Sequence, residues 1–506
     1  MLRYGVDGNG RLMRPGEVYE YVGKQLRRYS VRPLALEVFN ELRALEMAEK
    51  PGIAAVRAAP WLSFLILKMA LQDQKVPLVG PAMPKSLLDR MRQQMWTAND
   101  LDTRSVPPVA LVRSFLHTQV LFQQPASWDF IRWPALFELV PAGSTLRRHF
   151  QGVFGMPPES VMDLALVLYA ELHAYKGRLP LKVLESVRAG YGAAVDQLLA
   201  LVARDLAGLR RELLQNGVPA RRGREELLEF PFVEEFPLIW LEDRVLAWWH
   251  PVIFAHGIDN LVHRRLSALG QEYTDPFSKV FDQYVQELAV ETGRSPMLEA
   301  EYKSHMNAEA SAVEAIIRAD AANVLIEAKL GINPQIMMVS DHPELLFQRV
   351  RQLRDAVYQG SAVAAELVDP GGRFYDPARV ENFLLVVTSR ELNISNGEML
   401  QQLFPHRALT RPSLAGEHAL PLRNILFMSI KEFERFVGAV RLGQIEPGSF
   451  LRKVVADNAA PGGGRLHFSE HFNGIVARFE RPARMRDAVE KAQARLVAAL
   501  GPGASA

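Results

Sequence analysis

Val313-Glu314-Ala315-Ile316-Ile317-Arg318-Ala319-Asp320-Ala321-Ala322-Asn323-Val324-Leu325-Ile326-Glu327-Ala328-Lys329 reads as two apolar strands joined by a tight turn, and three charged positions in it carry the information: Glu314, Glu327 and Lys329. Strand residues two apart share a face, so Glu327 and Lys329 project together. A two-residue turn at Asp320-Ala321 sets Glu314 directly across from Glu327, and directly opposed Cβ atoms lie about 5 Å apart. Two carboxylates at that spacing repel unless a positive charge lies between them. Mg²⁺, with its octahedral shell of oxygen ligands, suits the gap, and Mn²⁺ is the alternative. Lys329 then sits beside the metal, where its ammonium positions a water or stabilises charge developing on a scissile phosphate. The expected chemistry is phosphodiester hydrolysis. The competing reading is an edge β-ribbon whose charges are solvated and discourage aggregation. Against it, Val313 to Ile317 and Val324 to Ile326 are apolar on both faces, as in covered strands, and a buried charge needs a partner.

Working outward, the periodicity predicts a helix over 277–291 and strands near 297–303, 312–318 and 323–330. A second helix is expected over 343–358, and Phe383 to Thr388 reads as a strand covered on both faces. The order is α-β-β-β-α-β. Asn424 to Ile430 adds a strand, Lys431 to Val440 an amphipathic helix with Phe433, Phe436 and Val437, and 484–499 a final helix.

With those elements in place, the segment resembles the PD-(D/E)XK nuclease superfamily, in which an acid on one strand is followed by (Asp/Glu)-X-Lys on the next. Glu327-Ala328-Lys329 is the second half, and Glu314 stands where that family usually carries Asp. Asp320 lies closer in sequence but falls in the turn. Phe281-Asp282-Gln283-Tyr284-Val285 is similar to a Phe-Glu-X-Tyr-Val-like stretch on the family's preceding helix, so the resemblance gives Asp282 a metal role through water. On the following helix, Phe347-Gln348-Arg349-Val350-Arg351-Gln352-Leu353 matches a glutamine-bearing segment, with Gln352 the expected site residue and Gln348 one turn before it. The resemblance spans roughly 277–390. It implies an α/β restriction-endonuclease-like core, a mixed sheet flanked by helices, preceded by a large mainly α-helical domain.

From residue 20 to about 215 the pattern is helical. Val195, Leu198, Leu199, Val202, Leu206, Leu209 and Leu213 recur as one buried stripe, and a helix over 159–176 ends at Gly177. Asn216-Gly217 and the basic Arg221, Arg222 and Arg224 mark a boundary near 216–226. The expected division is a helical domain over 1–220 that senses a trigger or binds a protein partner, a helical connector over 221–275, a nuclease-like domain over 276–445, and a loop with a C-terminal helix over 446–506. The terminal Gly-Pro-Gly-Ala-Ser-Ala is expected to be disordered.

Composition sets the limits. The chain has 506 residues, 48% of them hydrophobic and 23% charged, which describes globular domains rather than a disordered or fibrous chain. Zero cysteines exclude disulfides, thiolate zinc sites and a cysteine nucleophile, and leave any metal to oxygen or imidazole ligands. A net charge of +2 advertises no global attraction to nucleic acid, although a nuclease needs only a local basic groove. The N-terminus has no signal-like pattern, and Lys68 soon interrupts the early apolar run, so a soluble, cytoplasmic protein without a membrane partner is expected.

Other motifs are read plainly. Trp248-Trp249-His250-Pro251 is assigned to core packing rather than base stacking, and Gly462-Gly463-Gly464 to a flexible linker. His467 and His471 are read as ordinary loop residues, and Arg349, Arg351 and Arg354 as solvated charges. The function expected is a metal-dependent endonuclease or exonuclease acting on DNA, less so RNA, in the manner of restriction or anti-phage defence effectors. The alternative is a non-catalytic scaffold or degenerate nuclease-fold protein, and a homo-oligomer is left open.

Overall fold

The structure is a computed structural model that describes residues 13–48, 54, 58–97, 109, 113, 121–122, 129–215, 226, 231–241, 245–306, 311–331, 343–404, 406–409, 419–460, 465 and 467–500. The expected boundary at 216–225, the triple-glycine run and the last six residues lie outside the described residues.

A five-stranded mixed sheet anchors the C-terminal half, in the order β5 (Met297–Leu298), β6 (Ala315–Ala319), β7 (Ala322–Lys329), β8 (Glu381–Thr388) and β9 (Ile425–Ser429). The first three strands run antiparallel and the last three parallel. The continuous apolar runs of β7 and β8 follow from their central place, because helices cover both faces. On one face Val324, Ile326, Phe383, Leu385 and Met428 join a core with Phe281 and Leu288 of α12 (Gln271–Glu291) and Phe433 of α17 (Ile430–Arg441). On the other, Leu325, Leu384 and Val386 pack on Leu353, Ala356 and Val357 of α15 (Arg351–Val368). Gly360 of α15 allows the closest approach, since an added Cβ would sit 2.5 Å from Leu384 Cδ2.

The N-terminal half is helical. Four helices, α1 (Pro15–Leu26), α2 (Val31–Glu46), α3 (Pro60–Gln72) and α4 (Lys85–Thr97), share a second apolar core, which Leu209, Ile239 and Trp249 also join. Next come α5 (Arg132–Glu138), α6 (Thr145–Phe154), α7 (Pro158–Ala174), α8 (Leu181–Tyr191), α9 (Ala193–Val202) and α10 (Leu206–Gln215), then α11 (Pro251–Leu266). Residues of α5 to α9 and α11 belong to the same apolar core as the first face of the sheet. That core runs from Phe130 to Phe472, across the expected boundary near 216–226. No helix among the described residues is long and apolar enough to cross a membrane.

Several elements differ from the sequence reading. The stripe from Val195 to Leu213 is two helices rather than one. Between α9 and α10 the backbone extends as β2 (Ala203–Arg204), which pairs in parallel with β3 (Leu238–Trp240), and Asp205 Oδ1 accepts the Gly208 N–H at 2.6 Å to restart the helix. The stripe's periodicity survives the break because its halves serve different cores, Leu198 and Val202 one and Leu209 and Leu213 the other.

The expected connector contributes β3 and β4 (Leu246–Trp248) to a second, four-stranded sheet in the order β1 (Arg178–Leu179), β4, β3 and β2, whose outer strands come from the expected helical domain. Its alternation sends Trp248 to one core and the following Trp249 to the other, so this pair is indeed packing. The strand expected over 297–303 is only Met297–Leu298. Glu299–His305 forms helix α13 instead, with Lys303 Nζ on Glu299 Oε1 at 2.6 Å, an i to i+4 pair that favours helix over strand. The helix expected over 343–358 is divided at Val350 into α14 (Pro343–Arg349) and α15, which runs on to Val368. The loop expected after 446 contains a further helix, α18 (Pro447–Ala459), and helices α16 (Gly397–Leu403) and α19 (Ala483–Leu500) complete the chain.

Candidate active site

The hairpin's register runs from Ala319 opposite Ala322 to Ala315 opposite Ile326. Its continuation faces Glu314, immediately before β6, towards Glu327. Asp320 and Ala321 form the turn, with Ala321 at φ 46°, a left-handed conformation that a non-glycine residue adopts at some cost. Asp320 is fastened there, its Oδ2 accepting the Ser449 hydroxyl of α18 at 2.7 Å. It lies at the opposite end of the hairpin from Glu327.

Glu327 is 2% exposed and faces the α15 side of the sheet. Its Oε1 accepts from Lys329 Nζ, and Lys329 also donates to Gln359 Oε1 of α15 at 2.9 Å. The second carboxylate oxygen, Oε2, is buried with no hydrogen-bond partner among the described residues. Glu314 is buried too, and its Oε2 accepts from Gln286 Nε2 of α12 at 2.7 Å. Asp282 lies one turn before Gln286 on the same helix. That helix is locked in place by Tyr284, whose hydroxyl donates to Glu434 Oε1 at 2.8 Å, while Arg132 Nη2 donates to Glu434 Oε2 at 2.8 Å.

The electrostatics mark these groups as one cluster. Burial, reinforced by the negative charge of Glu314, raises the Asp282 carboxyl to about 7, against the pull of Lys329. Burial raises Glu327 to about 8, with Lys329 opposing and Glu314 and Asp282 adding to the rise. Glu314 is raised by burial, with the Gln286 hydrogen bond and the two lysines Lys329 and Lys303 holding it down and Glu299 pushing it up. Four carboxyl groups, Asp282, Glu299, Glu314 and Glu327, outnumber the two ammonium groups, an excess that burial relieves by favouring the protonated forms of Asp282 and Glu327 and that a divalent cation would relieve by displacing those protons. The orphaned Glu327 Oε2 and this excess fit a hard cation. Glu314 and Glu327 nevertheless accept from separate donors, Gln286 and Lys329, and Asp282, Glu314 and Glu327 are not a set whose oxygens come within 4.8 Å of one another. Among the described residues the acidic and imidazole ligand atoms that do so are those of Glu391, Glu432 and His467.

The glutamines of the following helix are placed differently from one another. Gln352 and Gln348 both sit on exposed helix surface. Gln359, seven residues beyond Gln352 and so on nearly the same helical stripe, is the one that reaches Lys329. Gln286 escaped the sequence reading as well, although its spacing of four from Asp282 puts it on the same face. The arginines on this side are occupied by packing or local charge: Arg354 stacks over Phe347, 3.7 Å from the ring centroid, and Arg351 pairs with Asp355 at 3.7 Å. The Arg349 side chain lies outside the described residues. Comparison with protein-family models, with curated proteins and with solved structures finds no match to this chain.

Proposed function

We propose that the chain is a Mg²⁺- or Mn²⁺-dependent nuclease of the PD-(D/E)XK kind, hydrolysing phosphodiester bonds of DNA, with RNA the alternative substrate. The observation that carries this reading is the pairing of Glu327 and Lys329 on one face of a central strand, with Glu314 across the hairpin and one oxygen of Glu327 unpartnered in the interior. Glu314 and Glu327 would hold the cation, with Asp282 reaching it through water. A divalent ion bound there supplies a lowered pKa for the attacking water and a template for the phosphate oxygens.

The chain's own groups account for the rest. Lys329, held between Glu327 and Gln359, offers a fixed cationic donor to charge developing on the phosphate. Gln286 orients Glu314, and the apolar packing of α15 against β8 keeps bulk water from the buried side of Glu327. The helical N-terminal half is the candidate for sensing a trigger or a protein partner, as in restriction and anti-phage effectors, an analogy of architecture alone.

A second reading, a degenerate nuclease fold serving as a scaffold, is favoured by one observation: the three carboxylates are spaced too widely to close on an ion without side-chain rotation. Cleavage separates the two. Plasmid DNA, single-stranded DNA and RNA are incubated with wild type, Glu327→Gln and Lys329→Met in Mg²⁺, Mn²⁺ or EDTA. Metal-dependent cutting that falls at least about 100-fold in both variants supports the nuclease. Equal rates in all three proteins would overturn the site. No cutting on any substrate, together with a thermal midpoint indifferent to both metals, supports the scaffold.

A further inference from the structure

Glu391 and Glu432 lie just beyond the C-terminal ends of neighbouring parallel strands, β8 ending at Thr388 and β9 at Ser429. Crevices at that edge of an α/β sheet are where such folds bind ligands. Glu432 belongs to the capping box of α17, its Oε2 accepting the Ser429 N–H at 2.8 Å, and its Oε1 accepts the Ser469 N–H at 2.8 Å. That second bond draws the short turn Phe468–Phe472 onto the start of α17. His467 immediately precedes the turn, and Phe468 and Phe472 anchor the segment in the apolar core.

The imidazole of His467 is therefore carried inside, 7% exposed, between two carboxylates. Its Nδ1 pairs with Glu391 Oε1, while Nε2 makes no hydrogen bond among the described residues. One ligand atom from each of Glu391, Glu432 and His467 lies within 4.8 Å of the others. A buried ring whose Nε2 has no partner among the described residues is costly, and so is a pair of closely placed carboxylates. A shared cation relieves both at once.

We propose that Glu391, Glu432 and His467 form a metal site separate from the hairpin carboxylates, and that it takes a first-row transition cation of the Zn²⁺ class. The imidazole sets that preference, since Mg²⁺ and Ca²⁺ seek all-oxygen shells whereas nitrogen ligands suit Zn²⁺, and the chain has no thiolate to offer instead. Two carboxylates and one imidazole leave a fourth tetrahedral position for water. The bound ion fastens the segment before Phe468 to the ends of β8 and β9. His471 is buried nearby but faces Asp457, with Nδ1 3.7 Å from Oδ2, and is not one of the ligands.

The test uses the full chain stripped with EDTA and titrated with Zn²⁺ by calorimetry in excess Mg²⁺, with zinc content measured after dialysis. Wild type and Glu327→Gln are expected to hold a single Zn²⁺ per chain. His467→Gln and Glu391→Gln are expected to bind at least about 100-fold more weakly, beyond the loss seen when only an outer partner of a metal ligand is removed. Glu391 is partly exposed, so its variant tests the site without disturbing the core. No saturable Zn²⁺ binding by wild type, wild-type affinity in both variants, or a zinc ion lost only in Glu327→Gln would each overturn the site. The readout is zinc affinity, so it stands or falls apart from nuclease activity.

Discussion

Replacing Glu327 by glutamine should make the metal-free protein more stable while abolishing its proposed activity. The wild-type carboxyl is raised from 4.5 to about 8 in the folded protein, chiefly by burial. A raised folded value means that the carboxyl's favourable contribution is complete below the unfolded value and is lost as pH climbs towards the folded one. At pH 7 the unfolded chain is ionised while the folded chain must carry a proton, and at about 1.4 kcal/mol per pH unit above 4.5 the penalty is about 3 kcal/mol. The same arithmetic leaves under about 1 kcal/mol at pH 5 and about 5 kcal/mol well above pH 8. Glutamine titrates in neither state, has nearly the same shape, and retains an oxygen to accept from Lys329. The thermal midpoint in EDTA should therefore rise by on the order of 5–10 °C at pH 7, for a cooperative unit of 150–250 residues. Scanning fluorimetry of both proteins at pH 5, 6, 7 and 8 gives the profile. Saturating Mg²⁺ should close the gap by stabilising wild type alone. A variant no more stable than wild type at pH 8, or a difference that does not grow with pH, would refute the burial argument and with it the idea that this carboxylate is held ready for a cation.

Three further outcomes follow from the same geometry. Gln359→Ala should slow cleavage by about 10-fold or more by releasing Lys329, whereas Gln352→Ala, on exposed surface, should leave the rate unchanged; equal effects would restore the glutamine read from sequence. Gly360→Ala places a methyl against Leu384 and should cost about 1–3 kcal/mol in urea unfolding, and a neutral result would mean that α15 sits farther from β8. Arg132→Met strands the buried Glu434 and should cost about 3–5 kcal/mol, and the variant Arg132→Met/Glu434→Gln, which removes the charge and keeps an acceptor for the Tyr284 hydroxyl, should recover much of it; no recovery would show that the loss comes from packing rather than from an unpaired charge.

What the sequence determined by itself was local. The hairpin's register was legible because a two-residue turn at Asp320-Ala321 leaves one pairing that keeps the apolar residues aligned. The strands β8 and β9 and the helix α17 were legible because continuous apolar runs and a three-to-four spacing each have one economical burial. The break at Ala203-Arg204 was invisible, because a two-residue extension pairs with a strand more than thirty residues away while the helical spacing resumes beyond it. Glu299 to His305 was misread because local helix pairing overrode a strand-like start.

The tertiary structure alone decided which polar side chains meet. Gln359 reaches Lys329 because α15 lies close over β7 and β8, an approach that Gly360 permits and helical spacing cannot rank against Gln352. His467 looked like one loop residue among others. Only the folding of its segment onto the ends of two strands, drawn there by Phe468, Phe472 and the Ser469 bond to Glu432, enclosed it between carboxylates from distant parts of the chain. Periodicity encodes which face of an element is buried; long-range packing encodes what that face is buried against, and charge partners belong to the second kind of information.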